Sequence, residues 1–170
     1  ALEGFEIVID GTDSFNSRYL INDACVLFDK ILVYGAIHQF EGQVSVFNLG
    51  DGPTYRCLFP EPPPAGTVPN CAEVGVVGVL PGIIGGMQAL EAIKVVTGIG
   101  DSLSGKLLLY DAMSNSTKTL GLSPNPKSRK IVELPEETSF CGAKEAEVDS
   151  AVVEIAPVEL VRMMKENPDL

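Results

Sequence analysis

Two carboxylates and a guanidinium stand close together near the start of the chain, at Asp10, Asp13 and Arg18. Carboxylates beside a cation are what is needed to hold a divalent ion against a phosphate and to offset the phosphate's charge in a phosphoryl-transfer step. The stretch that carries them, residues 5–19, reads FEIVIDGTDSFNSRY. A plainer reading uses the same residues: Asp13 caps a helix and Arg18 lies on that helix's solvated side. On these residues alone both readings stand. The remaining reactive side chains are mostly thiols, Cys25, Cys57, Cys71 and Cys141, too far apart in sequence to form a disulfide scaffold, which makes a reducing cytoplasm the expected setting. His38, the single histidine, reads as a turn or surface residue.

The elements that must position these groups follow from the apolar spacing. Alternation over residues 5–10 predicts a short strand ending on Asp10. Gly11 to Ser14 then turn the chain, and from Phe15 the spacing of Tyr19, Leu20, Ala24, Leu27 and Phe28 is helical, with Asp13 or Ser14 as its N-cap. A polar turn leading from strand to helix lies at the carboxyl edge of an α/β sheet, where such folds bind nucleotides and small ligands. Residues 31–36 (ILVYGA) form a fully apolar strand that completes a βαβ unit. After a short connection at 38–42, residues 43–47 (QVSVF) form another strand.

Residues 48–73, with Pro60 and Pro62 to Pro64, predict a long loop bracketed by Cys57 and Cys71, and a loop of that length points to function. Pro81 and Gly82 open a long helix reaching about Thr97. Its Ile83, Ile84, Met87, Leu90, Ile93 and Val96 are expected to form the core side, leaving Gln88, Glu91 and Lys94 as a narrow polar stripe. Gly85 and Gly86 suggest close backbone approach, to a sheet, a second subunit or a ligand. Residues 106–111 and 117–122 read as a strand pair. Residues 133–154, acidic with Lys144 as their one basic residue, read as an exposed linker. Pro157 then opens a final helix over 158–165.

With 170 residues, 45% of them hydrophobic, the chain has material for one core. Twelve Lys and Arg against 23 Asp and Glu give a net charge of −11, which disfavours nonspecific binding to nucleic acid or to an anionic membrane. No apolar run is long enough to span a bilayer. The chain opens on Ala1 with a strand almost at once, which suggests a piece of a longer protein.

Five ordered motifs carry a resemblance. They are Asp10-Gly-Thr-Asp13-Ser-Phe-Asn-Ser-Arg18-Tyr-Leu-Ile-Asn22, Gly35-Ala-Ile-His-Gln-Phe-Glu-Gly-Gln-Val44, Tyr55-Arg-Cys57-Leu-Phe-Pro, Asn70-Cys71-Ala-Glu73 and Gln88-Ala-Leu-Glu91-Ala. In these the chain resembles the ThiF/MoeB/HesA family of adenylyltransferases, relatives of ubiquitin-activating enzymes, over about residues 5–125. The resemblance implies the C-terminal part of a Rossmann-like adenylation domain of mixed α/β architecture at residues 1–132, whose glycine-rich nucleotide loop lies upstream. It further implies an acidic linker at 133–153 and, from Val153-Glu-Ile-Ala-Pro-Val-Glu-Leu160, the start of a rhodanese domain at 154–170.

The implied reaction is ATP-dependent adenylation of the C-terminal glycine of a ubiquitin-like sulfur-carrier protein of the MoaD/ThiS kind, ending in Gly-Gly, for molybdenum-cofactor, thiamin or thiolation chemistry. By the same resemblance Asp13 matches the Mg²⁺-coordinating aspartate, Arg18 a basic residue beside it, and Cys71 the cysteine that receives the activated carboxylate or exchanges a persulfide. Ser14 stands where asparagine is usual. Structural Zn²⁺, common in MoeB-type members through two Cys-x-x-Cys pairs, is not expected: the pairs read Thr54-Tyr-Arg-Cys57 and Thr138-Ser-Phe-Cys141, and Cys57 with Cys141 falls short of four ligands. A homodimer is expected. The rival reading is a catalytically silent carrier-binding or dimerisation scaffold of the same fold. A nicotinamide-dependent dehydrogenase is disfavoured because no glycine-rich fingerprint with a ribose-binding acid is present.

Overall fold

The computed structural model describes residues 2–64, 75–134 and 162. The chain divides into two compact units, Ala1–Phe140 and Cys141–Leu170. The expected acidic linker and the rhodanese-like segment fall almost entirely outside the described residues.

The first unit is built on a five-stranded mixed sheet in sequential order: β1 (Ile7–Asp10), β2 (Ile31–His38), β3 (Glu41–Phe47), β4 (Lys106–Asp111) and β5 (Ser116–Gly121). β1 and β2 pair in parallel, joined by helix α1 (Phe15–Leu27), and every later pairing is antiparallel. The strands expected from apolar alternation are all present, and the sheet is the expected mixed α/β one. The 38–42 connection is tighter than expected, because β2 runs to His38 and β3 starts at Glu41, with Gln39 at φ 50 turning the hairpin. The long loop holds one turn of helix, α2 (Tyr55–Leu58).

Side chains alternate across the sheet and divide the core in two. On one face Leu32, Tyr34, Phe47 and Leu107 pack with Tyr19 and Cys25 of α1 and Tyr55 of α2. Their rings form a cluster, with Tyr19 edge-on to Tyr55 at 5.1 Å and Tyr34 5.5 Å from Phe47. On the other face Val44 meets Leu80 and Ile84 of α3 (Leu80–Thr97).

Helix α3 places Ile84 in the core with Met87 packed against it, as expected, but departs from the expected faces in its second half. Gln88 and Glu91 are 6% and 3% exposed, whereas Leu90, Ile93 and Val96 are 54%, 58% and 74% exposed. The row laid on the sheet is Leu80, Ile84, Gln88 and Glu91, spaced as one ridge of a 3.6-residue helix. The helix is apolar nearly all round, so periodicity does not say which side meets the sheet. Polar satisfaction does. Glu91 accepts the Leu103 N–H at 2.8 Å and pairs with Lys94, while Lys94 donates to the Asp101 carbonyl at 2.8 Å. Gly85 and Gly86 face open space among the described residues, so of the approaches expected there the one to the sheet is not made. Added side chains would collide elsewhere: a methyl group on Gly42 would overlap Ile84, one on Gly35 the Gln88 carboxamide, and one on Gly52 the Leu49 carbonyl.

Candidate active site

At the carboxyl end of β1, backbone and side chains tie the turn into one geometry. Asp10 is buried, and its Oδ1 accepts from both the Thr12 N–H at 2.8 Å and the Thr12 hydroxyl at 2.7 Å. Arg18 reaches back from the first turn of α1 and donates from Nη2 to the Thr12 carbonyl at 3.2 Å. Ser14 is the N-cap, its hydroxyl accepting the Ser17 N–H at 3.1 Å, so the open choice between Asp13 and Ser14 falls to Ser14. The capping task therefore does not occupy Asp13, whose side chain is exposed beside the helix N-terminus. A solvent-facing carboxylate on a fixed turn is suited to gripping a hydrated divalent cation, since Mg²⁺ keeps several waters and takes one or two carboxylates.

Arg18 is placed differently from an anion-facing cation. It is buried at 8% exposure, with its guanidinium 5.8 Å from the centre of the Phe15 ring and 5.9 Å from that of Tyr34. Its hydrogen bond goes to the turn's backbone. Burial pushes the Tyr34 and Tyr55 hydroxyls well up despite the nearby Arg18, and pushes Tyr19 up to about 12, so the ring cluster beneath the turn stays neutral.

Gln88, expected on a polar stripe and part of the last motif, is instead buried against the end of β1. Its Nε2 donates to the Asp10 carbonyl at 2.7 Å and to the Val33 carbonyl at 3.3 Å. A signal was present: one glutamine among apolar neighbours on a helix, matched by a glycine inside a strand, Gly35, at which a side chain would not fit.

Cys71 and Cys141 lie outside the described residues. Cys57 lies within them, at the centre of a hydrogen-bonded knot that ties α2 to the 3-10 helix Pro126–Arg129. The backbone N–H groups of Thr54 and Asn125 each donate to its sulfur at 3.2 Å, and the Ser128 and Thr54 hydroxyls stand 3.0 and 3.6 Å away. Among the described residues one thiol and two hydroxyls gather here, short of the four thiolates or imidazoles that structural zinc demands; Thr138 and Cys141, the other expected pair, lie outside them. Burial pushes the Cys57 thiol up, but the hydrogen bonds from Ser128, Thr54 and Asn125 outweigh it and bring the pKa below the ordinary thiol value. Because the folded-state value is the lower one, deprotonation favours folding; the contribution is full above the ordinary thiol pKa and is lost as the pH falls through the lowered value. Cys25, fully buried, is instead pushed up to about 12. Iodoacetamide at pH 8, followed by peptide mass spectrometry, is therefore expected to alkylate Cys57 in the folded protein while Cys25 reacts only on unfolding. Equal labelling of the two would contradict this environment.

Asp13 lines neither of two cavities found among the described residues. One of about 540 Å³ lies over the outer side of α1, among Val8, Leu20, Ile21, Ala24 and Phe28. The other, about 420 Å³, is bounded by Asp23, Arg56, Lys127 and Lys130.

Residues 1–131 match the model of the ThiF family. The chain belongs to the ThiF family. Among other ThiF-type sequences it is 49% identical to a sulfur carrier protein adenylyltransferase of Thermus thermophilus over 154 residues, 84% of this chain and 57% of that one. It is 43% identical to the adenylyltransferase and sulfurtransferase MOCS3 of Aedes aegypti, over 96% of this chain and 39% of that one. It is 48% identical to the probable adenylyltransferase/sulfurtransferase MoeZ of Mycobacterium tuberculosis, over 81% of this chain and 36% of that one. The ThiF chain thus spans between about a third and three-fifths of these curated relatives. In fold it is similar to E. coli MccB crystallised with ATP, with a TM-score of 0.58 at 12% identity over 71% of this chain and 38% of that one. At that identity the likeness is one of architecture.

Proposed function

We propose that the full-length protein adenylates the C-terminal glycine of a small ubiquitin-like sulfur-carrier protein, using ATP, with Asp13 holding the Mg²⁺ that accompanies the nucleotide. The observation that carries this reading is the exposed Asp13 carboxylate on a turn held by its neighbours, through Asp10 Oδ1 on Thr12, the Ser14 cap and Arg18 Nη2 on the Thr12 carbonyl, with Asp10 Oδ2 and Arg18 Nε left buried without partners among the described residues. In the reaction a carboxylate oxygen bonds to the α-phosphorus while the bond from that phosphorus to the bridging oxygen breaks, releasing pyrophosphate and leaving an acyl adenylate. Two anions must meet, and the divalent ion supplies the charge that lets them do so. The role of this chain is to hold Asp13 where that charge is required. Arg18 acts here through the turn rather than on the phosphates. Cys71 serves afterwards as the thiol that either displaces AMP from the acyl adenylate, forming a thioester, or takes part in a persulfide exchange. Free Cys25 and Cys57 suit a reducing compartment such as the cytoplasm. Pyrophosphate exchange into ATP, stimulated by a carrier ending in Gly-Gly, is the test on the full-length protein. Its absence would favour the scaffold reading, which the buried Arg18 and the hydroxyl-lined knot at Cys57 support.

The working protein in this reading is a homodimer joined through α3. The outer face of that helix presents Leu90, Ile93 and Val96 to solvent, continued by Val79 and Ile99 at its two ends. An apolar strip of this kind marks an interaction surface. It sits on a chain of net charge −11, where close self-association needs an uncharged seam. Replacing Ile93 and Val96 together by glutamate is expected to convert the full-length protein from dimer to monomer in sedimentation velocity. Wild-type protein sedimenting as a monomer would remove the proposal.

A further inference from the structure

We infer that Gln88 is a positioning residue for the metal-holding turn: from the middle of α3 it fixes the backbone on which Asp13 is mounted. The inference rests on the adenylation reading for its function, and on geometry for its mechanics. Gln88 is buried, and its single carboxamide nitrogen bridges the carbonyl of Asp10, the last residue of β1, and that of Val33 on the neighbouring parallel strand. It can lie there because Gly35 carries no side chain.

From the anchored Asp10 the restraint passes along the turn. The Asp10 carboxylate holds the Thr12 N–H and hydroxyl, and Arg18 holds the Thr12 carbonyl. The chain is thus fixed at the Asp10 carbonyl, at the Thr12 amide and at the Thr12 carbonyl, immediately before Asp13. A buried donor aimed at a strand-end carbonyl costs free energy if it goes unmet, so Gln88 and the Asp10 carbonyl lock each other. Metal-holding carboxylates tolerate displacements of only about 0.5 Å, and loss of an outer supporting group typically costs about 10–100-fold in metal affinity. Gln88, Asp10 and Arg18 together form that support, and none of them needs to touch nucleotide.

The test uses the full-length protein with Gln88→Met, which keeps length and apolar volume and removes the donor. Two readouts are taken. In the nucleotide-free protein, hydrogen exchange of the Thr12 amide is expected to accelerate about tenfold. In carrier-stimulated pyrophosphate exchange the Mg²⁺ midpoint is expected to rise about tenfold, with the rate at saturating Mg²⁺ reduced much less. Gly35→Ala, which displaces the carboxamide from the strand side, is expected to produce the same pair of shifts. Thr12→Val, which deletes one bond to Asp10, provides a milder variant should the first two fold poorly. A purely structural role would lower the active fraction and leave the Mg²⁺ midpoint in place. Unchanged Thr12 exchange and an unchanged midpoint in a folded variant overturn the inference. If the wild-type protein shows no pyrophosphate exchange at all, the adenylation reading fails, and Thr12 exchange alone then decides whether Gln88 holds the turn.

Discussion

Asp13→Ala in the full-length protein is expected to cut carrier-stimulated ATP–pyrophosphate exchange by about 10²–10³-fold, the scale seen when a preorganised charge-stabilising group is removed from a reacting centre. Folding should be little affected. The side chain is exposed and the neighbouring Ser14 supplies the helix cap, so the melting temperature is expected to stay within about a degree or two, as for surface substitutions generally. That separation distinguishes Asp13 from its neighbours on the turn. Asp10→Ala strips two hydrogen bonds from Thr12 and would lower stability and activity together. Exchange surviving Asp13→Ala at near wild-type rate would move the metal elsewhere and leave the chain with the fold of an adenylyltransferase but not its chemistry.

The second large effect is one of stability. Arg56 of α2 meets Asp23 of α1 in a two-point pair, Nε to Oδ1 and Nη2 to Oδ2, each at 2.7 Å. The Asp23 side chain is 4% exposed, and the Arg56 guanidinium also lies 4.8 Å from the centre of the Tyr19 ring. Asn22 completes the joint, donating to Asp23 at 3.0 Å and accepting the Tyr55 N–H at 2.9 Å. Arg56→Ala leaves the Asn22 amide to hold a buried carboxylate that has lost its cation, and breaking such a pair from one side costs about 3 kcal/mol. For a protein of this size that is a fall of roughly 10 °C in melting temperature. The double variant Asp23→Leu with Arg56→Met should recover much of the loss, because it removes the uncompensated charge along with the pair. A single-variant loss below about 1 kcal/mol would class the pair with ordinary surface ion pairs.

The sequence already contained the turn at the end of β1, because its signals are local: alternation up to Asp10, a glycine, then a serine three residues ahead of the N–H it caps. The strands themselves were legible for the same reason. What could not be read was which face of α3 looks inward. The helix is apolar almost all round, and the decision rests on contacts far along the chain: Gly35 makes room for Gln88, and the Leu103 N–H awaits Glu91. The surroundings of Arg18 are illegible for a related reason: its bond to the Thr12 carbonyl and its place near Phe15 and Tyr34 depend on β2 lying beneath it. Thr54-Tyr-Arg-Cys57 showed a lost metal ligand, but not that Ser128 would come to share the cysteine's sulfur.

The far border of the sheet limits how copies of this chain could misassemble. β5 is exposed along its whole length among the described residues and carries serine, threonine and Lys118, a polar margin of the kind that discourages further strands. A strand from another copy laid against it would have to strip water from a lysine and a row of hydroxyls, so the sheet is not extended from that side by stray association.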